Sequence, residues 1–145
     1  HGAGSHTLLP PFALLFCVLV DIPLNLSGTE AVANYLQRNP TVDGVMALGP
    51  VGAEPALQAI NSIKRSVKLA TFDLSSTVLN ALRDGKMVFA VDQQQYLQGY
   101  LPVVLLANYK RYGLLPANDI IATGPGFVTS QNAAQVIDLT KRGIR

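Results

Sequence analysis

Apolar runs and amphipathic stretches alternate along the chain. Residues 12–20 (FALLFCVLV) are continuously apolar and rich in strand formers, which predicts a buried strand, and Pro23 and Asn25 mark a loop over 21–27. A helix is expected next. Ser27 or Thr29 can cap it, Glu30 suits its positive end, and Ala31, Val32, Tyr35 and Leu36 form an apolar face up to Asn39-Pro40. VDGVMAL (42–48) reads as a second strand broken by Gly49-Pro50-Val51-Gly52, with a second helix over 54–63. VKLATF (67–72) is a third strand that ends in Asp73. Ser75, Ser76 or Thr77 then starts a short helix that stops at Asp84-Gly85, where the glycine suits a left-handed cap. Residues 87–91 give a fourth strand. The stretch 96–112 is apolar on most faces, with Pro102 acceptable in a first turn or as a kink, and Gly113 terminates it. A short strand over 120–123, a turn at GPGF and a final amphipathic helix over 133–141 complete the pattern.

Strands that alternate with helices need crossover connections. The expected fold is therefore doubly wound α/β, a mostly parallel sheet with helices on both faces. In such sheets ligands sit beyond the carboxyl ends of the strands, and the residues delivered there are Gly49, Asp73 and Gln93. An ionised Asp accepts hydroxyl hydrogen bonds, and a Gln both donates and accepts, so this set suits a polyol's mixture of donors and acceptors. Asp73 has a second reading as a cap or loop aspartate before Ser75-Ser76, and Gln93 as a surface amide. Strand alternation turns Asp92 away from Gln93.

Composition narrows the function classes. At 145 residues the chain fits one domain with one core. Charged residues make up 14%, against a typical ~25%, and 49% of residues are hydrophobic, so the surface is largely neutral or its apolar faces meet something else. The net charge of +2 comes from scattered pairs such as Lys64-Arg65 and Lys110-Arg111, read as solvated helix ends; no stripe for nucleic acid is present. Cys17 is the single cysteine, which excludes an internal disulfide and a thiolate metal cluster and leaves a buried small hydrophobe. The apolar run 8–20 lacks a basic front, contains Pro10-Pro11 and has no small-residue cleavage pattern behind it, and it is shorter than the ~20 residues of a spanning helix. Residues 1–11, beginning HGAGSH, are expected to be a tag or disordered tail, with no signal peptide in this chain.

Catalytic groups are scarce. His1 and His6 lie in the tail, and no GxSxG, Walker, HExxH or CxxC pattern occurs, so no enzyme activity, metal or cofactor is expected. GPVG and GPGFV do not match a dinucleotide loop. GPVG could offer backbone N–H groups to a phosphate, but Pro50 removes one donor and no Lys or Arg stands near it in sequence. Asp73 and Asp92 could pair for acid–base work, yet nothing in the sequence brings them together.

TVDGVMALGPVGAEPALQAI, KLATFDLSSTVLNALRDGKMVFAVDQQQYLQGY and IIATGPGFVTSQN together resemble the type I periplasmic sugar-binding proteins, the ribose-binding-like receptors of ABC transporters. The likeness runs from about Val18 to Asn132 and is most specific in the FD and VDQQ.Y.QGY motifs. It implies a two-lobed periplasmic receptor that closes on a monosaccharide or polyol about three hinge crossings and delivers it to a permease. By that resemblance Asp73 is the carboxylate that takes sugar hydroxyls and Gln93 the hinge glutamine. Gly49-Pro50 stands where many members carry Asn-Asp, so the familiar third polar contact is in doubt. With no Trp, Phe72 and Tyr96 are the nearest aromatics for a sugar ring, core packing being the alternative for each.

The resemblance also assigns 12–145 to the carboxyl-terminal lobe, with 95–123 like elements that belong to the other, absent lobe. Helix 96–112 would then lack its usual cover, although burying Leu101, Val104 and Leu105 is worth ~1.5–3 kcal/mol each. Either it folds back on this sheet, or copies of the chain associate through it, in the extreme by exchanging it. The alternative function on the same fold is the effector-binding core of a lactose-repressor-type regulator, which needs a helix-turn-helix that is not visible here.

Overall fold

The computed structural model describes the backbone of residues 14–16 and, with side chains, residues 27–145. The fold is built from strands β1 (Leu14–Phe16), β2 (Gly44–Ala47), β3 (Lys68–Phe72), β4 (Phe89–Asp92) and β5 (Gly126–Val128). Helices α1 (Gly28–Arg38), α2 (Pro50–Ile63), α3 (Ser76–Arg83), α4 (Gln95–Tyr112) and α5 (Ala133–Lys141) alternate with them. The strands lie in the order β1-β2-β3-β4-β5; the first three pairings are parallel and β4 pairs antiparallel to β5. The expectation of a mostly parallel sheet flanked by helices holds. Of the first apolar run, only Leu14–Phe16 falls within the described residues, and Cys17 and the tail lie outside them.

One face of the sheet makes the core. Register sets Val45 beside Leu69, Ala47 beside Thr71, Thr71 beside Ala90, and Ala90 beside Val128, and all of these are buried. Leu36 of α1, Ala53, Ala56 and Ile60 of α2, Val78, Leu79 and Leu82 of α3, and Ala133 and Val136 of α5 join them in one cluster. The alanines of α2 keep that helix close to the strands. The opposite face carries Met46, Ala70, Phe72, Phe89, Val91 and Phe127; Phe89 and Phe127 meet edge to face at 5.7 Å. Phe127 is 55% exposed there.

Helix ends follow their local chemistry. Ser27 caps α1 in a reciprocal box with Glu30, Ser75 Oγ caps α3 by accepting the Val78 N–H, and Gly85 takes the left-handed conformation after α3. Tyr35, expected on the apolar face of α1, is 41% exposed, and Leu36 is the buried member of that face. Gly49-Pro50 does not break the chain before a later helix. It begins α2, because proline at the first helical position lacks only an N–H that needs no partner.

Arg65 is also not the solvated end residue the sequence suggested. Its guanidinium is half-buried and donates to the carbonyls of Leu36, Asn39, Pro40 and Val42, which ties the end of α1 to the entry of β2. Residues 120–123 are not a strand. The strand is Gly126–Val128, which overlaps the GPGF stretch read as a turn, and it follows a cis Gly124-Pro125 bond. Helix α4 does not fold back on the sheet: none of its residues is buried, and Val103 and Leu106 are each 67% exposed.

Candidate functional site

Strands β3 and β4 are parallel neighbours, so their carboxyl ends bring Asp73 and Gln93 out on the same rim. The ladder continues one step past β3, where the Asp73 N–H donates to the Val91 carbonyl at 2.8 Å. Asp73 then turns left-handed, with φ of 60°. Asp tolerates this conformation better than most residues. Its Oδ1 accepts two amides, Gln93 Nε2 and Gln95 Nε2, each at 2.8 Å. Among the described residues Oδ2 has no hydrogen-bond partner.

The glutamine triplet has a division of labour. Gln94 is the left-handed residue that starts α4, with φ of 56° and ψ of 58°, and its backbone N–H donates to Asp92 Oδ1 at 2.8 Å. That turn lets the residues on either side, Gln93 and Gln95, aim their amides at one carboxylate oxygen. Gln95 was not singled out in the sequence. Only the turn at Gln94, which breaks strand alternation before the helix begins, makes it a neighbour of Gln93. Among the described residues Lys64, at the end of α2, is the other non-glycine residue with positive φ; Asp73 and Gln94 both stand at this rim.

The crossing segment 121–125 closes the other side. Thr123 Oγ1 donates to the Gln93 carbonyl at 2.9 Å, and Gln98 Nε2 donates to that same carbonyl at 3.2 Å and to Thr123 Oγ1 at 3.3 Å. Gly124 lies so close to the end of β4 that a Cβ there would stand 3.1 Å from the Asp92 carbonyl oxygen and 3.5 Å from Gln93 Cα. Between Gln93 and this crossing segment opens a cleft of about 470 Å³ lined by Phe72, Val91, Gln93, Gln98, Thr123 and Pro125; Asp73 and Gln95 stand beside it and do not line it. That volume suits a small molecule.

Other candidates fall outside this cluster. Gly49 is the cap residue of α2 and Pro50 its first residue; neither lines the cleft, and no hydrogen bond joins them to Asp73 or Gln93. Tyr96 stacks on Tyr100 one turn along α4, with centroids 5.8 Å apart and planes 10° from parallel, and is likewise absent from the cleft wall. Phe72 is on that wall. Asp92 is 1% exposed and paired with Arg145, pointing away from Gln93 as strand alternation requires. Asp73 and Asp92 therefore form no carboxylate pair. Among the described residues no three His, Cys, Asp or Glu side chains gather as metal ligands, and no helix is long and apolar enough to cross a membrane.

The rim thus offers a carboxylate and two carboxamides at the ends of parallel strands, beside a small cleft. Residues 26–113 match the periplasmic binding protein domain family, and the chain belongs to it. The type I periplasmic sugar-binding fold anticipated from the FD and VDQQ motifs is thereby shown. Among curated proteins, the chain is 28% identical over 111 residues to the xylose/arabinose-binding protein XylF of Sulfolobus acidocaldarius, a match that covers 71% of this chain and 27% of that protein. It is 33% identical over 89 residues to the periplasmic protein TorT of Escherichia coli K12, covering 59% of this chain and 26% of TorT. A carbohydrate transporter structure from Acidothermus cellulolyticus 11B, in complex with myo-inositol, superposes with a TM-score of 0.72 and 34% identity over 82% of this chain and 42% of that one. The chain thus spans about a quarter of the length of these curated relatives.

Proposed function

We propose that this chain is the sugar-contacting lobe of a periplasmic solute receptor serving an ABC transporter, and that it binds a monosaccharide or polyol without chemistry. The observation that carries the reading is Asp73, whose Oδ1 is held by the amides of Gln93 and Gln95 while Oδ2 is left to accept from a ligand. A carboxylate fixed from one side is preorganised to take hydroxyl hydrogen bonds on the other, and the carbonyl ends of both glutamine amides remain as further acceptors. Phe72 and Val91 give the cleft an apolar wall for the carbon face of a ring. The relatives named for xylose and arabinose, and the superposed structure with myo-inositol, support a polyhydroxylated ligand.

In this reading Gln93 and Thr123 belong to hinge crossings, and residues 95–123 pack with a second lobe that completes the site. Helix α4 supports this, since it leaves the sheet without burying a residue. A lobe alone offers part of the contacts and excludes water poorly, so its affinity should be weak. A thermal-shift panel of pentoses, hexoses and cyclic polyols tests the reading. At ten times Kd a true ligand stabilises the chain by about 1.4 kcal/mol, or roughly 4–5 °C. Asp73→Ala should abolish the shift. A shift that survives Asp73→Ala at full size would place the ligand elsewhere, and no shift from any sugar would refute the assignment.

A further inference from the structure

We propose that Asp92 and Arg145 form a latch beneath the rim that positions the ligand-facing amides, an inference that rests on the sugar-binding reading of Asp73, Gln93 and Gln95. Neither latch residue lines the cleft. Asp92 is the last residue of β4 and is 1% exposed, and its two oxygens do different work. Oδ2 accepts Arg145 Nε at 2.5 Å, and Oδ1 accepts the Gln94 N–H at 2.8 Å.

A carboxylate this deeply buried needs its cation; without one it is an uncompensated charge that must find water or move. Any such movement carries Oδ1 with it. The bond it would loosen is the one that secures the left-handed turn at Gln94, and that turn aims Gln93 and Gln95 at Asp73. Arg145 therefore acts on the site through two intermediates, as a positioning residue 53 positions away in sequence from the carboxylate it holds. Gly126 of β5 leaves room for the arrangement. A Cβ there would stand 3.3 Å from an Arg145 guanidinium nitrogen and 3.8 Å from Asp92 Cβ.

The test is residue-resolved amide hydrogen exchange on the full chain, together with titration of the sugar that gives the largest thermal shift. In Arg145→Gln the Gln94 amide should exchange about tenfold faster while the β3 amides keep their rates, and sugar affinity should fall about tenfold. Arg145→Lys, which restores a cation without the fork, should recover part of both effects. An unchanged Gln94 rate in Arg145→Gln would overturn the latch, as would acceleration spread equally over β3, which would mark Arg145 as a general stability contact. Parent-like sugar affinity in Arg145→Gln would overturn the latch and leave the sugar reading intact. Faster exchange at Gln94 in a chain whose parent binds no sugar would support the latch and remove the sugar reading alone.

Discussion

Adding a single methyl group at Gly124 sets two opposed effects against each other. Gly→Ala at a conformationally compatible position stabilises by about 0.4–1 kcal/mol, because the unfolded chain loses freedom. Gly124 has no positive φ, so this gain is available to it. Against it stands the new Cβ, 3.1 Å from the Asp92 carbonyl oxygen and 3.5 Å from Gln93 Cα and from the Gly126 nitrogen. These are backbone atoms, and none can swing aside as a side chain would. The end of β4 is held between β3 and β5, and the Gln93 carbonyl is bound by Thr123 and Gln98. Relief by a few tenths of an ångström must therefore move the rim itself, a form of overpacking that costs about 1–3 kcal/mol. The steric effect wins, for a net loss of about 1 kcal/mol and a Tm lower by roughly 3 °C.

Gly99 supplies the control. It lies within α4 with nothing inside 4 Å of its would-be Cβ, so the same chemical change should raise stability by about 0.5–1 kcal/mol through helix propensity. Calorimetry and urea melts of Gly124→Ala and Gly99→Ala decide the matter. Gly124→Ala as stable as the parent, with parent-like amide shifts at Gln93, would refute the close packing of the crossing segment on the rim.

Three other outcomes are expected. Leu82→Ala removes a fully buried side chain from the centre of the core and should cost about 2–5 kcal/mol by urea denaturation with an unchanged m value. The Ser27 backbone N–H and then its hydroxyl hold the Glu30 carboxyl below its ordinary value of 4.5; a lowered folded-state value contributes stability above that pH and loses it as pH falls through the folded value. Ser27→Ala should accordingly lower Tm by a few degrees at pH 7, with a gap to the parent that narrows below about pH 4.5, as a pH series of melts would record. Copies of the chain should associate through α4, whose Val103 and Leu106 face solvent, so light scattering behind size exclusion should give more than a monomer mass, and Leu106→Glu should reduce it.

Much of this fold could be read from the sequence because its strands are apolar runs with sharp ends. KLATF and FAVD give way to Asp73 and Gln93, and those two residues are the rim. The Ser27 and Ser75 caps and the left-handed Gly85 were legible from local chemistry alone. Residues 120–123 misled because IIAT has strand propensity while its position is fixed by a side chain: Thr123 Oγ1 bonds the Gln93 carbonyl where a ladder N–H would otherwise be needed. The neighbouring glycines gave the better signal, since Gly124 and Gly126 permit backbone approach to Asp92 and so mark where the chain rejoins the sheet. Within the site, Asp73 and Gln93 follow from strand ends. Gln95 and Arg145 do not, because one depends on a left-handed turn and the other on a contact between distant parts of the chain.

The most direct test of the central claim is a sugar titration followed by NMR at the side-chain amides of Gln93 and Gln95 and the carboxyl carbon of Asp73. Saturable shifts of these three groups at a common Kd, with the amides of α1 and α5 still, are the predicted result. Binding that leaves all three unmoved while shifting resonances elsewhere would contradict it.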